Sequence, residues 1–495
     1  MGVVYKSTRD GEKAVTASQA ILKGLADDGG LFVPDSLPKL DVTMEALKDM
    51  SYQEVAYEVM KQFLSDFTEE ELKACIRGAY DEKFDTEEIA PLTKVDDAYY
   101  LELFHGSTIA FKDMALSILP YLMTTSAKKN NVTKEIVILT ATSGDTGKAA
   151  LAGFANVDGT RIIVFYPKNG VSRVQELQMV TQKGDNTSVV AIHGNFDDAQ
   201  TGVKNIFEDK EFAVELDAAG YQFSSANSIN IGRLVPQVVY YVYAYAKLLQ
   251  QEEITEGETI NVVVPTGNFG NILAAYFAKQ MGVPIGKMIC ASNDNKVLFD
   301  FFQTGTYDRN REFMLTSSPS MDILISSNLE RLIYMIAGCD AKKNAELMSL
   351  LKSEGRYTIT EEMQARLNDF AGGFATEEQV SETIHDIYAK SGYVLDTHTA
   401  VAEAVRRRYV TDSKDTCKCV VASTASPYKF AENVMTAIDE KYQGMEAFQM
   451  IDELCEISGV EIPNAIQEIR DAVILHNLEC DAKDMQATVK SILNV

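Results

Sequence analysis

The sequence contains few of the residues from which metal centres and disulfide frameworks are built. Only five histidines and seven cysteines occur among 495 residues, and tryptophan is absent. The histidines lie far apart, so no local zinc-binding spacing is present. An odd number of scattered cysteines without a CxxC motif indicates neither a paired framework nor a metal site. We therefore expect no metal and a reducing compartment, the cytoplasm.

Positive charge is scarce as well. The chain carries 46 lysines and arginines against 72 aspartates and glutamates, which gives a formal net charge of −26. Nucleic acid and anionic membranes repel such a protein, so we expect neither as a partner. An anionic ligand would need a local positive site that works against the overall field.

Long hydrophobic runs are also missing. The longest apolar stretch, residues 234–249, is too short and too rich in tyrosine to span a bilayer, and it predicts a buried core helix. The first ten residues lack the apolar core of a signal peptide, so we expect no membrane association. The length and the 46% hydrophobic content fit about three globular domains.

Strands and helices alternate in the middle of the chain. Four β-rich segments each end in a turn of small residues, at residues 135–141, 161–167, 260–265 and 418–423. This order predicts parallel sheets in an α/β protein. Residues 1–95, residues 340–390 and the tail after about 443 instead show mainly helical patterns.

One lysine stands in apolar surroundings. In the segment 109–115, IAFKDMA, only Lys112 and Asp113 are charged. An amine removed from water without a partner tends to lose its proton, and a neutral amine forms Schiff bases with aldehydes. The alternative is that Lys112 opens an amphipathic helix and extends its ammonium group to solvent past Phe111.

Two loops have the setting of an anion-binding site, and the first is PTGNFGN at residues 265–271. It lies between a predicted strand and a predicted helix. Gly267 and Gly270 allow backbone amides to face a ligand, and the positive end of the helix dipole favours a phosphate. The loop has neither a GxGxxG nor a Walker pattern, so nucleotide binding is not indicated. An ordinary strand-to-helix turn fits the same residues.

The second loop is TSGDTGKAA, which begins at Thr142. Thr142 and Ala149 occupy positions where a Walker loop needs glycine and Ser or Thr, so an ATP-using kinase is disfavoured. The hydroxyls of Ser143 and Thr146 and the first helical amides suit a carboxylate. Asp145 would repel a second anion, so we expect it to face a hydroxyl, an amine or a cationic ring. A helix start capped by an aspartate fits the same residues.

An amine candidate and two anion-binding loops together match what pyridoxal phosphate requires when it acts on an amino acid. The cofactor needs a lysine for its aldehyde and a loop for its phosphate, and the substrate needs a second loop for its carboxylate. The sequence therefore indicates a pyridoxal-phosphate site around Lys112.

Longer motifs carry a resemblance to a known family. In chain order they are YKSTRDG, ILKGLADDGGLFVPDSLP, HGSTIAFKD, ATSGDTGKAA, PTGNFGN, SSPSMDILISSNLERL and DTHTA. Together they resemble the threonine synthases, pyridoxal-phosphate enzymes of fold type II, over nearly the whole chain. One departure is STASPYKF at residues 423–430, where Ser426 and Tyr428 replace the histidine and alanine that are common in the family.

The resemblance implies a fold and a division into domains. The fold would be α/β, with two parallel-sheet domains that hold the cofactor between them, a largely helical N-terminal domain and a helical C-terminal tail. Residues 1–95 would form the N-terminal domain, and residues 96–235 a smaller, mobile domain with Lys112 and the SGDTG loop. Residues 236–495 would form the larger domain, which binds the cofactor phosphate and includes a helical insertion at about 340–390.

The resemblance also implies roles for individual residues. Lys112 would bind the cofactor and move protons at the substrate's α and β carbons, and Thr424 would hydrogen-bond the pyridine nitrogen. The residues that hold the cofactor phosphate would be Gly267, Asn268, Phe269, Gly270 and Asn271. The residues that bind the substrate would be Ser143, Asp145, Thr146 and Lys429. His105 and Arg173 are weaker candidates, beside Lys429, for binding a departing phosphate.

The activity implied by the resemblance is conversion of O-phospho-L-homoserine and water to L-threonine and phosphate. One alternative is a related fold type II lyase, such as a serine or threonine dehydratase or another amino-acid phospholyase. Another is a non-catalytic relative that binds a phosphorylated metabolite. We expect a monomer or a weak homodimer.

Overall fold

A computed structural model describes residues 2–11, 13–142, 144–171 and 173–495 of the chain. Strands β1 to β15 within these ranges are, in order, Tyr5–Ser7, Phe32–Pro34, Leu92–Val95, Ala98–Glu102, Glu135–Ala141, Thr160–Pro167, Thr187–His193, Tyr221–Ser224, Ile260–Pro265, Ile285–Ser292, Thr306–Asp308, Arg356–Thr358, Phe370–Phe374, Lys418–Ser423 and Leu478–Asp481.

Helices occupy most of the remaining chain. Helices α1 to α22 in the described ranges are, in order, Ala17–Lys23, Met44–Leu47, Tyr52–Phe63, Glu69–Ala79, Asp113–Leu116, Leu119–Lys129, Asp145–Phe154, Arg173–Val180, Phe196–Glu208, Lys210–Ala218, Ile231–Gln250, Gly270–Met281, Val297–Thr304, Leu329–Ile336, Ala341–Ser353, Glu361–Ala365, Glu377–Ser391, Thr397–Ser413, Ala431–Ile438, Ala447–Ser458, Asn464–Arg470 and Met485–Leu493. Short 3-10 helices are Pro319–Met321, Pro427–Phe430, Glu440–Tyr442 and Ala482–Asp484.

Two largely parallel sheets form the centre of the molecule. The larger has the order β13-β10-β9-β14-β4-β3, in which only β3 runs antiparallel to its neighbour. The smaller has the order β15-β7-β6-β5-β8 and is parallel throughout. Two antiparallel pairs, β1 with β2 and β11 with β12, lie outside these sheets.

The four strands predicted from sequence are confirmed as β5, β6, β9 and β14. Their central residues are buried, which agrees with the near-continuous apolar runs typical of parallel strands covered on both faces. Helix α11, the predicted core helix, packs against α3, α12 and α5, and nearly all of its residues are buried. One face of each sheet contributes to the hydrophobic core around this helix.

The opposite faces of the two sheets have separate helical layers. Helices α17 to α21 cover the larger sheet, and α9, α10 and α22 cover the smaller one. Each sheet therefore lies between two helical layers, and the loops at the carboxyl ends of β5, β9 and β14 are free to build a site. Ligands bind at this end of the strands in open α/β sheets.

The tail is mostly helical, as predicted, but it also contains strand β15, which pairs with β7 at the edge of the smaller sheet. The sequence gives little signal for this strand, because LECD is short and its residues are largely exposed. The predicted boundary at residue 96 separates β3 from β4, although both strands lie in the larger sheet. The division into three domains otherwise stays a prediction. In the described ranges no helix has the length and apolar composition to cross a membrane.

Arg331 joins three segments that are distant in sequence. The side chain is fully buried, and its guanidinium donates hydrogen bonds to the Phe32 carbonyl (2.9 Å), the Asn328 side-chain oxygen and the Ile229 carbonyl. Burial lowers its pKa to about 9. The N-terminal strand β2 is thereby tied to the segment that precedes α11 and to the one that precedes α14.

We expect Arg331→Met to lower the free energy of unfolding by about 3 kcal/mol or more, because three buried acceptors lose their donor. Urea unfolding followed by circular dichroism measures this change. Arg173→Met is the control, since that exposed side chain pairs only with Glu176 in the described ranges, and a surface ion pair contributes about 1 kcal/mol or less. Equal effects of the two substitutions would contradict the structural role of Arg331.

Candidate active site

Lys112 lies at the start of helix α5, beside the end of strand β14. The Phe111 amide donates to the Thr424 carbonyl (2.8 Å), and the Ser426 amide donates to the Ile109 carbonyl (3.0 Å). These bonds extend the pairing of the two segments past the end of the sheet. Two residues that the sequence places 312 positions apart, Lys112 and Thr424, are thereby brought next to each other.

The amine of Lys112 points into the protein. Its side chain is 12% exposed, and its Nζ donates to the Ser320 hydroxyl at 3.0 Å and lies 3.6 Å from Asp145 Oδ2. Burial lowers the pKa of Lys112, Asp145 opposes this effect, and the positive charges of Lys429 and Arg233 reinforce it. The alternative in which the ammonium group reaches solvent does not hold, and the amine is set up as a nucleophile.

Asp145 is the buried counter-charge of the site. It lies in the first turn of α7, with Lys429 Nζ 3.1 Å from Oδ1 and the Ser320 hydroxyl donating to Oδ2 at 3.2 Å. Burial alone would raise the pKa of Asp145, but Lys429 and Lys112 outweigh it and hold the pKa well below its ordinary value. Asp145 is therefore ionised, and it faces amines and a hydroxyl, as its sequence position predicts.

The other residues predicted to bind substrate differ in their surroundings. Lys429 has no exposed side-chain area, and it donates to the Thr108 carbonyl (2.8 Å) besides pairing with Asp145. Thr146 lies half-buried in the first turn of α7, where amides have no helical acceptor. Ser143 lies outside the described residues. The structure thus joins Lys429 to Asp145 and places Thr146 at the helix start beside them.

The loop at residues 265–271 connects β9 with α12, and two of its carbonyl groups accept hydrogen bonds from the segment 326–328. The Ser326 hydroxyl donates to the Gly267 carbonyl (2.7 Å), and the Asn328 amide donates to the Asn268 carbonyl (3.0 Å). Because a trans peptide directs its carbonyl and the following amide in opposite directions, the next two N–H groups point away from this segment. The loop therefore presents amides at the positive end of α12.

Three residues of this loop show why its sequence is specific. A side chain at Gly267 would place Cβ only 2.5 Å from the Ser320 carbonyl oxygen. Phe269 adopts a left-handed conformation with φ of 66°, and its ring is buried near Phe370, so only its backbone is available to a ligand. The Asn271 side-chain oxygen accepts from two tyrosine hydroxyls, while its buried Nδ2 has no acceptor among the described residues.

These residues fit pyridoxal phosphate. An orphaned buried donor at Asn271 and the helix-start amides suit a phosphate, and the Lys112 amine suits an aldehyde. Thr424 is buried beside Lys112, and no hydrogen bond to its hydroxyl is found in the described part of the chain. That hydroxyl is thus available to a ring nitrogen.

Arg233 is a site residue that sequence reasoning did not identify. It lies in the first turns of α11, is 3% exposed, and donates to the Ala226 carbonyl (2.9 Å), while its Nε has no partner among the described residues. Burial lowers its pKa to about 10, and no carboxylate in the described ranges pairs with it. A buried guanidinium without a counter-ion is suited to bind an anion. The available signal was an arginine within the otherwise apolar start of the predicted core helix.

The two weaker candidates do not join this group. Both ring nitrogens of His105 contact carboxylates, Asp85 at 2.6 Å and Glu102 at 2.9 Å. Burial alone would lower the pKa of His105, but these two partners outweigh it and raise the pKa to about 9. Arg173 is 59% exposed and pairs with Glu176.

Ser426, which replaces the histidine common in the family, has a structural role. Its hydroxyl accepts from the Tyr428 amide (3.3 Å) and caps the 3-10 helix that carries Lys429. The Tyr428 hydroxyl donates to the Val460 carbonyl, which fixes this turn to the tail. Ser426 and Tyr428 therefore hold the turn that carries Lys429.

Family models match successive parts of the chain. The model described as Threonine synthase N terminus matches residues 4–80, Pyridoxal-phosphate dependent enzyme matches residues 85–424, and Threonine synthase, C-terminal matches residues 399–473. The second of these alone covers more than half of the chain.

Individual relatives agree with these models. Threonine synthase-like 1 of Pongo abelii is 42% identical over 88% of this chain and 60% of its own, so the chain spans about 60% of that relative's length. Threonine synthase of Pseudomonas aeruginosa is 37% identical over 88% of this chain and 90% of its own. The crystal structure of pyridoxal-phosphate-bound threonine synthase from Brucella melitensis matches with a TM-score of 0.88 and 35% identity over 100% of both chains. The chain belongs to the threonine synthase family of pyridoxal-phosphate-dependent enzymes.

Proposed function

We propose that the protein converts O-phospho-L-homoserine and water to L-threonine and phosphate. The observation that carries this proposal is a pair of buried basic side chains. The Lys112 amine has a lowered pKa and suits an aldehyde, and the Arg233 guanidinium lacks a carboxylate in the described ranges and suits a phosphate. Family membership supports the same reaction.

The residues that would hold the cofactor lie at the ends of two strands and one helix. Lys112 would bind its aldehyde, the Thr424 hydroxyl its ring nitrogen, and residues 267–271 its phosphate. When bound, pyridoxal phosphate withdraws electrons from the substrate's α carbon, which acidifies the protons on the α carbon and then on the β carbon.

Lys112 is the group that would move these protons. A neutral amine at Nζ can remove a proton from the α carbon, serve the β carbon in turn, and return a proton at the end. The lowered pKa of Lys112 keeps this neutral form accessible. Asp145 would stay ionised throughout, because Lys429 remains paired with it.

The two ends of the substrate would occupy separate anion sites. The first-turn amides of Asp145 and Thr146, with the Ser143 hydroxyl, would hold the α-carboxylate. Arg233 would hold the phosphate, which leaves the γ carbon with the electron pair of its carbon–oxygen bond. Water then adds its oxygen at the β carbon. We assign Lys429 to neutralising Asp145, since its side chain is fully buried and bonded.

The competing activities do not call for both of these buried groups. A serine or threonine dehydratase acts on a substrate without phosphate and has no need of a buried guanidinium without a carboxylate partner. A non-catalytic relative has no need of a buried lysine with a lowered pKa. Phosphate release from O-phospho-L-homoserine without ammonia release from threonine separates these possibilities.

We further propose a cytoplasmic enzyme of amino-acid biosynthesis that works as a monomer or a weak homodimer. All seven cysteines carry free thiols, which supports a reducing compartment. The domain division at residues 1–95, 96–235 and 236–495 is retained as part of this proposal, with β3 and β4 assigned together to the larger sheet.

Lys112→Ala tests the cofactor assignment. We expect the variant to fold but to trap no pyridoxal phosphate on borohydride reduction, because the amine that joins the aldehyde is gone. Peptide mass spectrometry of the reduced protein measures trapping. Lys73→Ala, which removes an exposed lysine paired with Glu69, should trap cofactor as the unchanged protein does. Trapping at another lysine in Lys112→Ala would overturn the assignment.

Arg233→Met tests the phosphate site. We expect kcat/KM for O-phospho-L-homoserine to fall about 100-fold, since a charge-assisted contact in a buried site is lost. The thermal unfolding midpoint should stay level or rise, because the substitution removes a buried charge that has no counter-ion in the described ranges. Arg233→Lys should recover part of the activity. A lower midpoint with unchanged kcat/KM would show a structural role instead.

A further inference from the structure

Ser320 lies where the charged groups of the site meet the loop at residues 265–271. It belongs to the short 3-10 helix Pro319–Met321. Its hydroxyl contacts both Lys112 Nζ (3.0 Å) and Asp145 Oδ2 (3.2 Å), and its carbonyl lies against Gly267. Lys112, Asp145 and the loop at residues 265–271 therefore converge on one serine that has no role so far.

The directions of these hydrogen bonds are fixed by the number of protons available. A serine hydroxyl has one proton, and here Ser320 donates it to the ionised Asp145. Its oxygen can then only accept a hydrogen bond from Lys112. When Lys112 is a neutral amine, one N–H is directed at Ser320, so the lone pair of the nitrogen points elsewhere. The serine thereby sets the direction in which the amine attacks.

The backbone of Ser320 is held by a buried imidazole. The Ser320 amide donates to His398 Nε2 at 3.2 Å, and His398 Nδ1 lies 2.8 Å from Asp396 Oδ2. Because Nε2 accepts a hydrogen bond, it carries no proton, and the proton on Nδ1 is donated to Asp396. Both side chains are buried, and Asp396 also caps helix α18. The helix therefore fixes the imidazole, and the imidazole fixes Ser320.

We infer that Ser320 is a further catalytic residue that orients the Lys112 amine, and that His398 and Asp396 are positioning residues for Ser320. The inference rests on the proposed function in one respect, namely that Lys112 is the lysine that joins the cofactor. It adds a requirement that the motifs SSPSMDI and DTHTA act together on the amine, although Ser320 and His398 are 78 residues apart in the chain.

The test measures how fast the cofactor-stripped chain of 495 residues captures pyridoxal phosphate, by absorbance and by borohydride trapping at Lys112. In Ser320→Ala we expect the maximum capture rate at high pH to fall about tenfold, the size of effect typical for one lost hydrogen bond. The pH midpoint of capture should shift to lower pH, because a hydroxyl that accepts from the amine favours the ammonium form. Ser320→Cys keeps a side chain of similar size, but a thiol is a poor hydrogen-bond acceptor, so this variant should behave like Ser320→Ala.

The imidazole has its own pair of variants. His398→Leu should slow capture in the same direction as Ser320→Ala, whereas His398→Gln keeps an acceptor for the Ser320 amide and should restore most of the rate. Ser317→Ala is the matched control, because no hydrogen bond of its side chain is found in the described part of the chain. It should capture cofactor at the unchanged rate.

The outcomes separate this inference from the proposed function. If the unchanged protein traps no cofactor at Lys112, the proposed function fails. If the unchanged protein does trap cofactor at Lys112, but Ser320→Ala and Ser320→Cys have the same pH midpoint and a capture rate within twofold of it, only the inference is overturned. An equal loss in His398→Leu and His398→Gln, with lowered thermal midpoints, would assign His398 to stability alone.

Discussion

Asp145 carries a negative charge deep inside the protein, between the side-chain nitrogens of Lys112 and Lys429. Moving a carboxylate out of water is costly, and the cost is met only where cations and donors surround it. Here two lysines, a glutamine amide and a serine hydroxyl do so. The segments that supply these groups lie far apart in sequence, so the charge can be accommodated only when the two sheets and the 3-10 helix at Ser320 are assembled.

This arrangement reconciles a strongly acidic protein with anionic ligands. The net charge of −26 works against the approach of a phosphorylated amino acid, and salt screens that effect beyond about 10 Å. The positive groups at the site are few but buried, where screening is weak. Under the proposed function, affinity for anions would come from short-range contacts at Arg233 and at two helix starts, and we expect little contribution from long-range attraction.

The fold and the site were predictable to different degrees. Apolar, β-rich segments that end in small residues are a local signal, and all four were found as strands. Lys112 was singled out by the apolar residues beside it in the chain, Gly267 by its place between a predicted strand and a predicted helix, and Asn268 by the family resemblance. Arg233 stands out by its burial without a carboxylate partner in the described ranges. The roles proposed for Ser320 and His398 depend on contacts between distant parts of the chain; Lys112 and Ser320, for example, are separated by 208 residues. Local pattern cannot show such pairing. Local pattern also could not show that the two ring nitrogens of His105 contact Asp85 and Glu102.

The late position of strand β15 in the chain has a consequence for folding. Strands β5 to β8 are contiguous in sequence and can pair as soon as they leave the ribosome, but the outer edge of β7 waits for residues 478–481. Until then, the outer edge of β7 has unpaired backbone groups. The apolar side chains that Met485, Val489 and Leu493 later cover are also exposed to solvent. Exposed edges of this kind promote association with other chains. Completion of the smaller sheet is thus a non-local step that must wait for residues 478–481.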